Sequence, residues 1–146
     1  MRTCGVTISM TYKLEESFFE EKGRITPAPK QIGGDKTQVT FSSNGTFKGN
    51  IEVTNTGDLV SVSKGNKGMS AQGQGVVTTK DGSEKANYTF LQVGKTTEEG
   101  RLVLRGCAVW STDSTGKLAF LDNMLSIVTT EVDEMGDFSS NDRELK

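Results

Sequence analysis

The sequence predicts an all-β domain folded as a closed antiparallel barrel of roughly eight strands in up-and-down (meander) order, with at most one short helix. Three observations predict this fold: a length that suits one domain, turn signals at strand-length intervals, and alternating apolar and polar residues between those signals. The chain has 146 residues, with 17 basic and 19 acidic side chains, and this length is typical of one domain with one core. We therefore treat residues 1–146 as a single β-barrel domain, in which residues 1–9 are an N-terminal extension or the result of an upstream start.

The N-terminal part of the chain is predicted to supply the first strand and a loop. Residues 12–23 are interpreted as a strand, although their Glu and Lys content also suits a short helix. Residues 26–35 contain both prolines and a Gly-Gly pair, so we expect a loop or an edge segment, because proline cannot donate to a β-ladder. This segment should connect the first strand to a strand centred on Val39 and Phe41.

Turn signals divide the rest of the chain. They combine glycine with Asn, Asp, Ser, Thr or Lys, and Asn-Gly and Asp-Gly are strong hairpin signals because a type I′ turn needs positive φ at both central residues. The seven predicted turns are residues 42–45, 55–58, 64–68, 80–83, 96–100, 112–116 and 133–136. Seven hairpin turns separate eight strands.

Closure into a barrel is expected because eight strands in a meander would otherwise leave exposed edges. An eight-stranded barrel is wide enough to be filled by side chains or to hold one small ligand. A two-sheet sandwich is the alternative, but sandwiches use longer Greek-key connections than these short turns provide.

Alternation within the strands assigns their interior faces. In the strand that contains Trp110, Arg105 marks the outward face, so Trp110 is predicted to point inward. An outward Lys85 likewise places Tyr88 and Gln92 in the interior.

Residues 118–132 are interpreted as a strand in which Glu131 faces outward, and this places Asp122 and Ser126 inside. A buried carboxylate is costly unless it is hydrogen-bonded or hydrated. Asp122 therefore either has partners in a wet cavity or lies in water at the strand entrance. The candidate ligand-binding residues are Tyr88, Gln92, Trp110 and Asp122.

Composition excludes several kinds of active site. The chain has no histidine, which removes Ser-His-Asp and Cys-His catalysis and imidazole-ligated metal sites. The acidic residues between 133 and 144 do not have the spacing of a calcium-binding EF loop, so no metal is expected. Gly94-Lys95-Thr96 and Gly73-Gln74-Gly75 match only fragments of phosphate-binding and dinucleotide-binding motifs, so no cofactor is expected.

Charge and hydropathy also limit the partners. No basic stripe is present, so nucleic acid is not an expected partner. No run approaches the roughly 18 apolar residues that cross a membrane, and the first residues lack the apolar stretch of a secretory signal. Cys4 and Cys107 are interpreted as free thiols. We therefore expect a cytoplasmic protein with no membrane partner.

One outward face is predicted to be apolar. Its residues are Val103, Cys107, Val109, Leu121, Leu125 and Ile127. Monomers seldom leave such a patch bare. We expect a second copy of the chain to cover it, giving a homo-oligomer, most simply a dimer. The contacts of this dimer should involve Val103, Val109, Leu125 and Ile127. The alternative cover is the N-terminal segment, with Phe18 or Phe19 folded back onto the barrel.

The last hairpin of the series follows the run Ser114-Thr115-Gly116-Lys117-Leu118-Ala119-Phe120-Leu121. A small barrel with this pattern resembles the uncharacterised bacterial and archaeal proteins that have calycin-like or allene-oxide-cyclase-like barrels. The resemblance covers roughly residues 10–146 and lies in the pattern, since no diagnostic motif is present. It implies the barrel fold, an interior ligand cavity and oligomerisation, and it assigns no catalytic residue.

Three hypotheses about function follow. The first is a non-enzymatic barrel that binds a small hydrophobic or amphipathic molecule in a mixed polar and apolar interior. The second is an isomerase or cyclase-type enzyme that uses Asp122 or Tyr88 for proton transfer. The third is a homo-oligomeric interaction module without a ligand. A cavity of several hundred Å3 would favour the first two over the third.

Overall fold

The structure confirms a closed eight-stranded antiparallel barrel, with one additional short strand on its outside. The computed structural model describes residues 11–26 and 30–146. The barrel strands are β1 (Leu14–Ile25), β3 (Lys36–Phe47), β4 (Ile51–Ser63), β5 (Met69–Thr79), β6 (Lys85–Thr96), β7 (Leu102–Ser111), β8 (Met124–Val132) and β9 (Asp137–Leu145). Neighbours along the chain pair from β3 to β9, and β1 closes the ring by pairing with both β9 and β3.

Helical structure in the described part of the chain is limited to two short 3-10 turns, Gly65–Lys67 and Ala119–Leu121. No helix among these residues has the length and apolar character needed to cross a membrane. The described residues contain no α-helix, as the predicted all-β fold requires, and each 3-10 turn has only three residues.

The N-terminal segment forms a strand, as predicted. β1 supplies the pairing that closes the barrel, and the following segment ends in β2 (Lys30–Gly33), an edge strand that pairs only with β3. Gly34, with positive φ, and Asp35 make the turn between β2 and β3. Both prolines lie outside the described residues, as does Cys4.

Two of the seven predicted turns are wrong, because residues 42–45 lie inside β3 and residues 55–58 inside β4. Their glycines serve close contacts instead of turns. A Cβ on Gly45 would lie 2.5 Å from the Phe19 ring, and a Cβ on Gly57 would lie 2.2 Å from the Gln74 carbonyl oxygen. The chain instead turns at Lys48 and Gly49, which both have positive φ.

One end of the barrel is closed by the connection between β7 and β8. Leu118 and Leu121 are fully buried there, and Phe120 packs edge-on against Phe47 at the end of β3. Phe18 and Phe19 of β1 join the same core, because a register irregularity precedes Phe19. We call this region the closed end.

The closed end corrects two assignments made from alternation. Leu121, predicted to face outward, lies in the core, and Asp122, predicted to face inward, is exposed. The reason is that residues 119–121 form a 3-10 turn and β8 begins only at Met124, so strand alternation does not extend to them. The Asp122 carboxylate accepts a hydrogen bond from the Thr112 backbone N–H at 3.1 Å.

Glu84 attaches the connection between β7 and β8 to the turn between β5 and β6. Its carboxylate accepts hydrogen bonds from the backbone N–H groups of Lys117 and Leu118, both at 3.0 Å, and from the Ser114 hydroxyl. The Leu118 N–H is the strongest cause of the lowered pKa of Glu84. The backbone donors of this loop thus bind a carboxylate from the same chain.

The outer face of β7 and β8 has apolar residues at five of the six predicted positions, Leu121 being the exception. Val109 and Leu125 are exposed, and Val103, Cys107 and Ile127 are half-buried on the same side of the sheet. The neighbouring outward residues Leu91 and Val93 extend this surface. The N-terminal alternative is wrong for the two phenylalanines named above, since both pack inside the barrel, and assembly through this face stays a prediction.

Candidate ligand site inside the barrel

A cavity of about 80 Å3 lies inside the barrel. It begins at Trp110, whose ring is 4.7 Å from that of Tyr88, and extends away from the closed end. Its walls are mainly apolar and aromatic. The polar residues that face it are Glu21, Tyr88, Gln92, Thr130, Ser140 and Asp142. The cavity is smaller than the several hundred Å3 that would separate the functional hypotheses by size alone.

The first polar cluster surrounds Glu21. Phe19 and Glu21 alternate on β1, so both side chains point into the barrel. The Glu21 Oε1 atom accepts hydrogen bonds from Asn55 Nδ2 at 2.8 Å and from the Ser43 hydroxyl, and Asn55 Oδ1 accepts one from the Tyr88 hydroxyl at 2.9 Å. Glu21 is half-buried as a whole residue, but its carboxyl group lies within the barrel.

The second polar cluster connects Trp110 with Asp142. The indole N–H of Trp110 donates to Ser126 Oγ at 3.0 Å, and the Ser126 hydroxyl donates to Asp142 Oδ2 at 2.6 Å. Asp142 belongs to β9, where Phe138 and Ser140 share its inward face. The chain thus places a carboxyl group with 3% exposure beside an aromatic wall.

The third polar cluster lies on β6, β8 and β9. Gln92 donates from Nε2 to the Thr130 hydroxyl at 2.9 Å, and the Thr130 and Ser140 hydroxyls are 2.8 Å apart. All three residues are buried. Within the described residues, every fully buried side-chain nitrogen or oxygen has a hydrogen-bond partner, so the polar interior is an ordered part of the fold.

Burial controls the protonation of the interior acids. It raises the pKa of Asp142 to about 8, against the opposing hydrogen bond from Ser126, and a charged Glu21 would raise it further. Burial also raises the pKa of Glu21, opposed by the hydrogen bonds from Ser43 and Asn55. The pKa of the Tyr88 hydroxyl lies well above 10, again mainly through burial. At neutral pH Asp142 therefore holds a proton that an exposed carboxyl group would have lost.

The structure places three of the four predicted site residues together. Tyr88, Gln92 and Trp110 line the same cavity, as their shared alternation predicts. Asp122 lies outside it, at the closed end. The two interior carboxyl groups, Glu21 and Asp142, were missed by the sequence analysis.

A signal for the missed acids is present in the sequence. Glu21 has the same alternation as Phe19, and Asp142 has the same alternation as Phe138. This signal is weak because each acid stands in a stretch with other charged residues, and such stretches usually face solvent. The sequence alone therefore assigns neither acid to the interior.

Larger open grooves occur on the surface, and the largest, near 870 Å3, contains charges that already pair with one another. Arg24 lies 2.8 Å from Asp137, and Arg101 lies 3.7 Å from Glu131. Among the described residues, no three His, Cys, Asp or Glu side chains form a group that could hold a metal ion. The interior cavity is therefore the candidate site.

Comparisons with known proteins support the fold only. The chain matches no protein-family model and no curated protein. It is similar in structure to a conserved protein of unknown function from Rhodopseudomonas palustris, with a TM-score of 0.72, 13% identity, and coverage of 95% of this chain and 100% of the other. A protein with unknown function from Clostridium acetobutylicum ATCC 824 gives a TM-score of 0.74 and 12% identity, with 94% and 100% covered.

Proposed function

We propose that this barrel binds a small amphipathic molecule in its interior cavity. The observation that carries the proposal is that an aromatic wall and several polar side chains face one enclosed space. Small-molecule sites combine mostly apolar walls with a few placed polar groups. A core that served stability alone would have no need of two carboxyl groups, since burial of an acid opposes folding.

The size of the cavity limits the ligand. A buried water molecule needs about 10–15 Å3 on the same measure. The 80 Å3 available thus corresponds to a molecule of roughly five to eight non-hydrogen atoms. This is well below the 300–1,000 Å3 of typical pockets for drug-sized ligands, so the ligand is a small metabolite-like molecule and not a lipid or a nucleotide.

The ligand enters from the end opposite the closed end. Four apolar residues that line the cavity are only half-buried: Ile25, Leu59, Phe90 and Phe138. Phe47, Leu118 and Leu121 have no exposed surface at the other end. Half-exposed apolar side chains at one end of a barrel form the natural mouth of an interior site.

Trp110 provides a direct test, because it is the only tryptophan of the chain and contacts the cavity. We would titrate the protein with butanol, benzyl alcohol, butyrate, butylammonium and benzylammonium while recording Trp110 fluorescence. We expect at least one compound to give a saturable change. If none does, and native mass spectrometry of the purified protein also shows no bound molecule, the proposal is wrong.

A matched pair of variants shows where the compound binds. Ala108 is buried and lines the cavity, whereas its neighbour Val109 is 53% exposed on the outer face of the same strand. Ala108→Leu should fill the cavity and abolish the fluorescence response, and Val109→Leu should preserve it. Circular dichroism of both variants checks that the barrel remains folded.

A second candidate function is proton-transfer catalysis in the same cavity. The observation that favours it is Asp142, whose pKa of about 8 suits a general acid or base near neutral pH. The test is the exchange of α-hydrogens of a small ketone, such as cyclopentanone, in deuterated water. Catalysis that disappears in Asp142→Asn would support an enzyme, and exchange at the buffer rate would leave binding as the function.

A further inference from the structure

We propose that the interior site takes a small protonated amine, whose ammonium group binds between the carboxyl groups of Glu21 and Asp142 and whose apolar part contacts the aromatic wall. This inference rests on the proposed function, because it names the ligand class of the same cavity. Three features carry it: the charge of the lining, the supply of hydrogen-bond acceptors, and the positions of the two acids.

The lining of the cavity has only one kind of charge. Glu21 and Asp142 are its ionisable acids, and no Lys or Arg side chain is among the described residues that line it. A buried carboxylate needs a compensating cation or a proton. Without a basic residue in this chain to compensate the acids, a ligand cation can do so.

The aromatic hydrogen-bond donors inside the barrel are already used, whereas Gln92 Nε2 has a second N–H beyond the one that it donates to Thr130. Tyr88 donates its single hydroxyl proton to Asn55, and Trp110 donates its single N–H to Ser126. Acceptors remain, however. Within the described part of the chain, the hydrogen bonds from Ser43, Asn55 and Ser126 go to Glu21 Oε1 and Asp142 Oδ2, so Glu21 Oε2 and Asp142 Oδ1 accept none of these three.

The two acids are placed to share one ligand group. In the pairing of β1 with β9, Glu21 lies opposite Ser140, and Asp142 lies opposite Phe19. The two acids are therefore diagonal neighbours on the inward face, a relation that separates residues by roughly 7–8 Å. An ammonium ion has three donors and no acceptor, and it can contact both carboxyl groups where the two side chains extend from these backbone positions towards each other.

The remaining wall suits the apolar part of such a ligand. Trp110 and Tyr88 face the cavity from one side, and Phe41 lies 6.1 Å from Phe90 on another. Aromatic faces attract cations as well as apolar groups, and tryptophan attracts them most strongly. A neutral alcohol has one hydrogen-bond donor, which cannot serve both Glu21 Oε2 and Asp142 Oδ1. A carboxylate ligand would be repelled by an ionised Glu21 or Asp142.

Amine binding should be coupled to proton release. The ionisable groups facing Asp142 are Glu21 from β1 and Tyr88 from β6, and the described inward residues of β3, β4, β5, β7 and β8 that line the cavity have none. A cation favours ionised carboxylates, so binding below about pH 8 expels the proton that burial retains on Asp142. An alkylammonium ion keeps its own charge up to about pH 10, as the lysine side chain does.

The experiment compares butylammonium with butanol, its neutral isostere, and with butyrate, by calorimetry and Trp110 fluorescence from pH 6 to pH 9. We expect the Kd of butylammonium to fall by about tenfold per pH unit and to level off above pH 8, because one proton is released. Butanol should bind independently of pH and at least about tenfold more weakly at pH 8.5.

Variants distinguish binding at the two interior acids from a general effect of the charge of the protein on butylammonium affinity. Asp142→Asn and Glu21→Gln keep the shape of a protonated acid but cannot ionise, so each should weaken butylammonium by at least about tenfold at pH 8.5 and reduce the pH dependence. Glu131→Gln on the outer face of β8 is the control and should change nothing. Butanol binding should stay within about twofold in all three variants.

The outcomes distinguish the two proposals. If butanol or butyrate binds as tightly as butylammonium at pH 8.5, or if butylammonium binds without releasing a proton, the amine inference is wrong and the proposed function stands. If none of the three compounds enters the cavity, the amine inference fails together with its premise. Tight, pH-dependent butylammonium binding that is lost in both interior variants supports both.

Discussion

Acidic side chains at the closed end and in the cavity of this barrel are stabilised in opposite ways. At the closed end, Glu84 is half-buried and accepts hydrogen bonds from the backbone N–H groups of Lys117 and Leu118, which lower its pKa. In the cavity, Asp142 is buried and its pKa is raised to about 8. The comparison shows that the pKa of the same chemical group is shifted in opposite directions in the two regions. Hydrogen-bond donors lower the pKa of Glu84, and burial raises the pKa of Asp142.

Side-chain packing should contribute more to the free energy of unfolding at the closed end than at the mouth of the cavity, and this is the largest difference that we expect between the two regions. Leu121→Ala removes a fully buried side chain at the closed end and should destabilise the barrel by about 2–5 kcal/mol. Leu59→Ala removes a half-buried side chain at the mouth of the cavity and should cost about half as much or less. Urea unfolding curves of both variants measure the difference, and equal losses would contradict a packed end and an open one.

The pH dependence of stability should come from the cavity. The pKa of Asp142 is raised from 3.8 to about 8, so between these values the native state binds more protons at this group than the unfolded state does. The contribution of Asp142 to stability is therefore fully present below about pH 4 and is lost as the pH rises to about 8, by up to about 1.4 kcal/mol per pH unit. The raised pKa of Glu21 acts in the same direction.

Asp142→Asn isolates this contribution. The variant should lose much of the decrease between pH 5 and pH 8, and it should be more stable than the wild type at pH 8. Thermal unfolding across this range checks the prediction. If stability changed with pH in the variant as it does in the wild type, Asp142 would be ionised in the native state across this range.

The acids near the closed end should act in the opposite direction, and more weakly because Asp81 is exposed and Glu84 is only half-buried. The lowered pKa values of Glu84 and Asp81 mean that their ionised forms stabilise the fold above the ordinary pKa, and this contribution is lost as the pH falls below it. Glu84→Gln should therefore lower the melting temperature at pH 7 but have less effect at pH 3. Glu98→Gln, in an exposed turn, is the matched control.

The outer face of the barrel allows a change that should leave both regions intact. Leu125 and Ile127 lie on the outward side of β8, so replacing both with Lys leaves the core-facing positions of that strand unchanged. If two copies associate through this face, the variant should remain folded and sediment as a smaller particle than the wild type. A wild-type protein that sediments as a monomer at high micromolar concentration contradicts the dimer.

Much of this architecture is predictable from the sequence. Alternation in the strands places Tyr88, Gln92 and Trp110 inside, because charged neighbours mark the outward face. It does not extend to Asp122, since a 3-10 turn interrupts the strand pattern before β8. Nor does turn chemistry distinguish Gly45, whose position is required by the nearby Phe19 ring, from a glycine in a hairpin.

The interior acids were the least predictable part. Glu21 and Asp142 are brought together only by the pairing of β1 with β9, near opposite ends of the chain. Sequence alternation predicts which residues of a strand face the interior, but it does not predict which strands pair with each other. Closure of the barrel through β1 depends on long-range packing. The site is therefore a consequence of closure, which local patterns do not encode.

Direct titration of the two kinds of carboxyl group tests the central claim that the cavity contains buried acids with altered protonation. Carbon-13 NMR of the side-chain carboxyl groups can follow Asp142 together with Asp137, an exposed residue on the same strand whose pKa is lowered by Arg24. We predict that Asp142 titrates near pH 8 and Asp137 below 3.8. An Asp142 that titrates at or below 3.8 would contradict the account of the interior site.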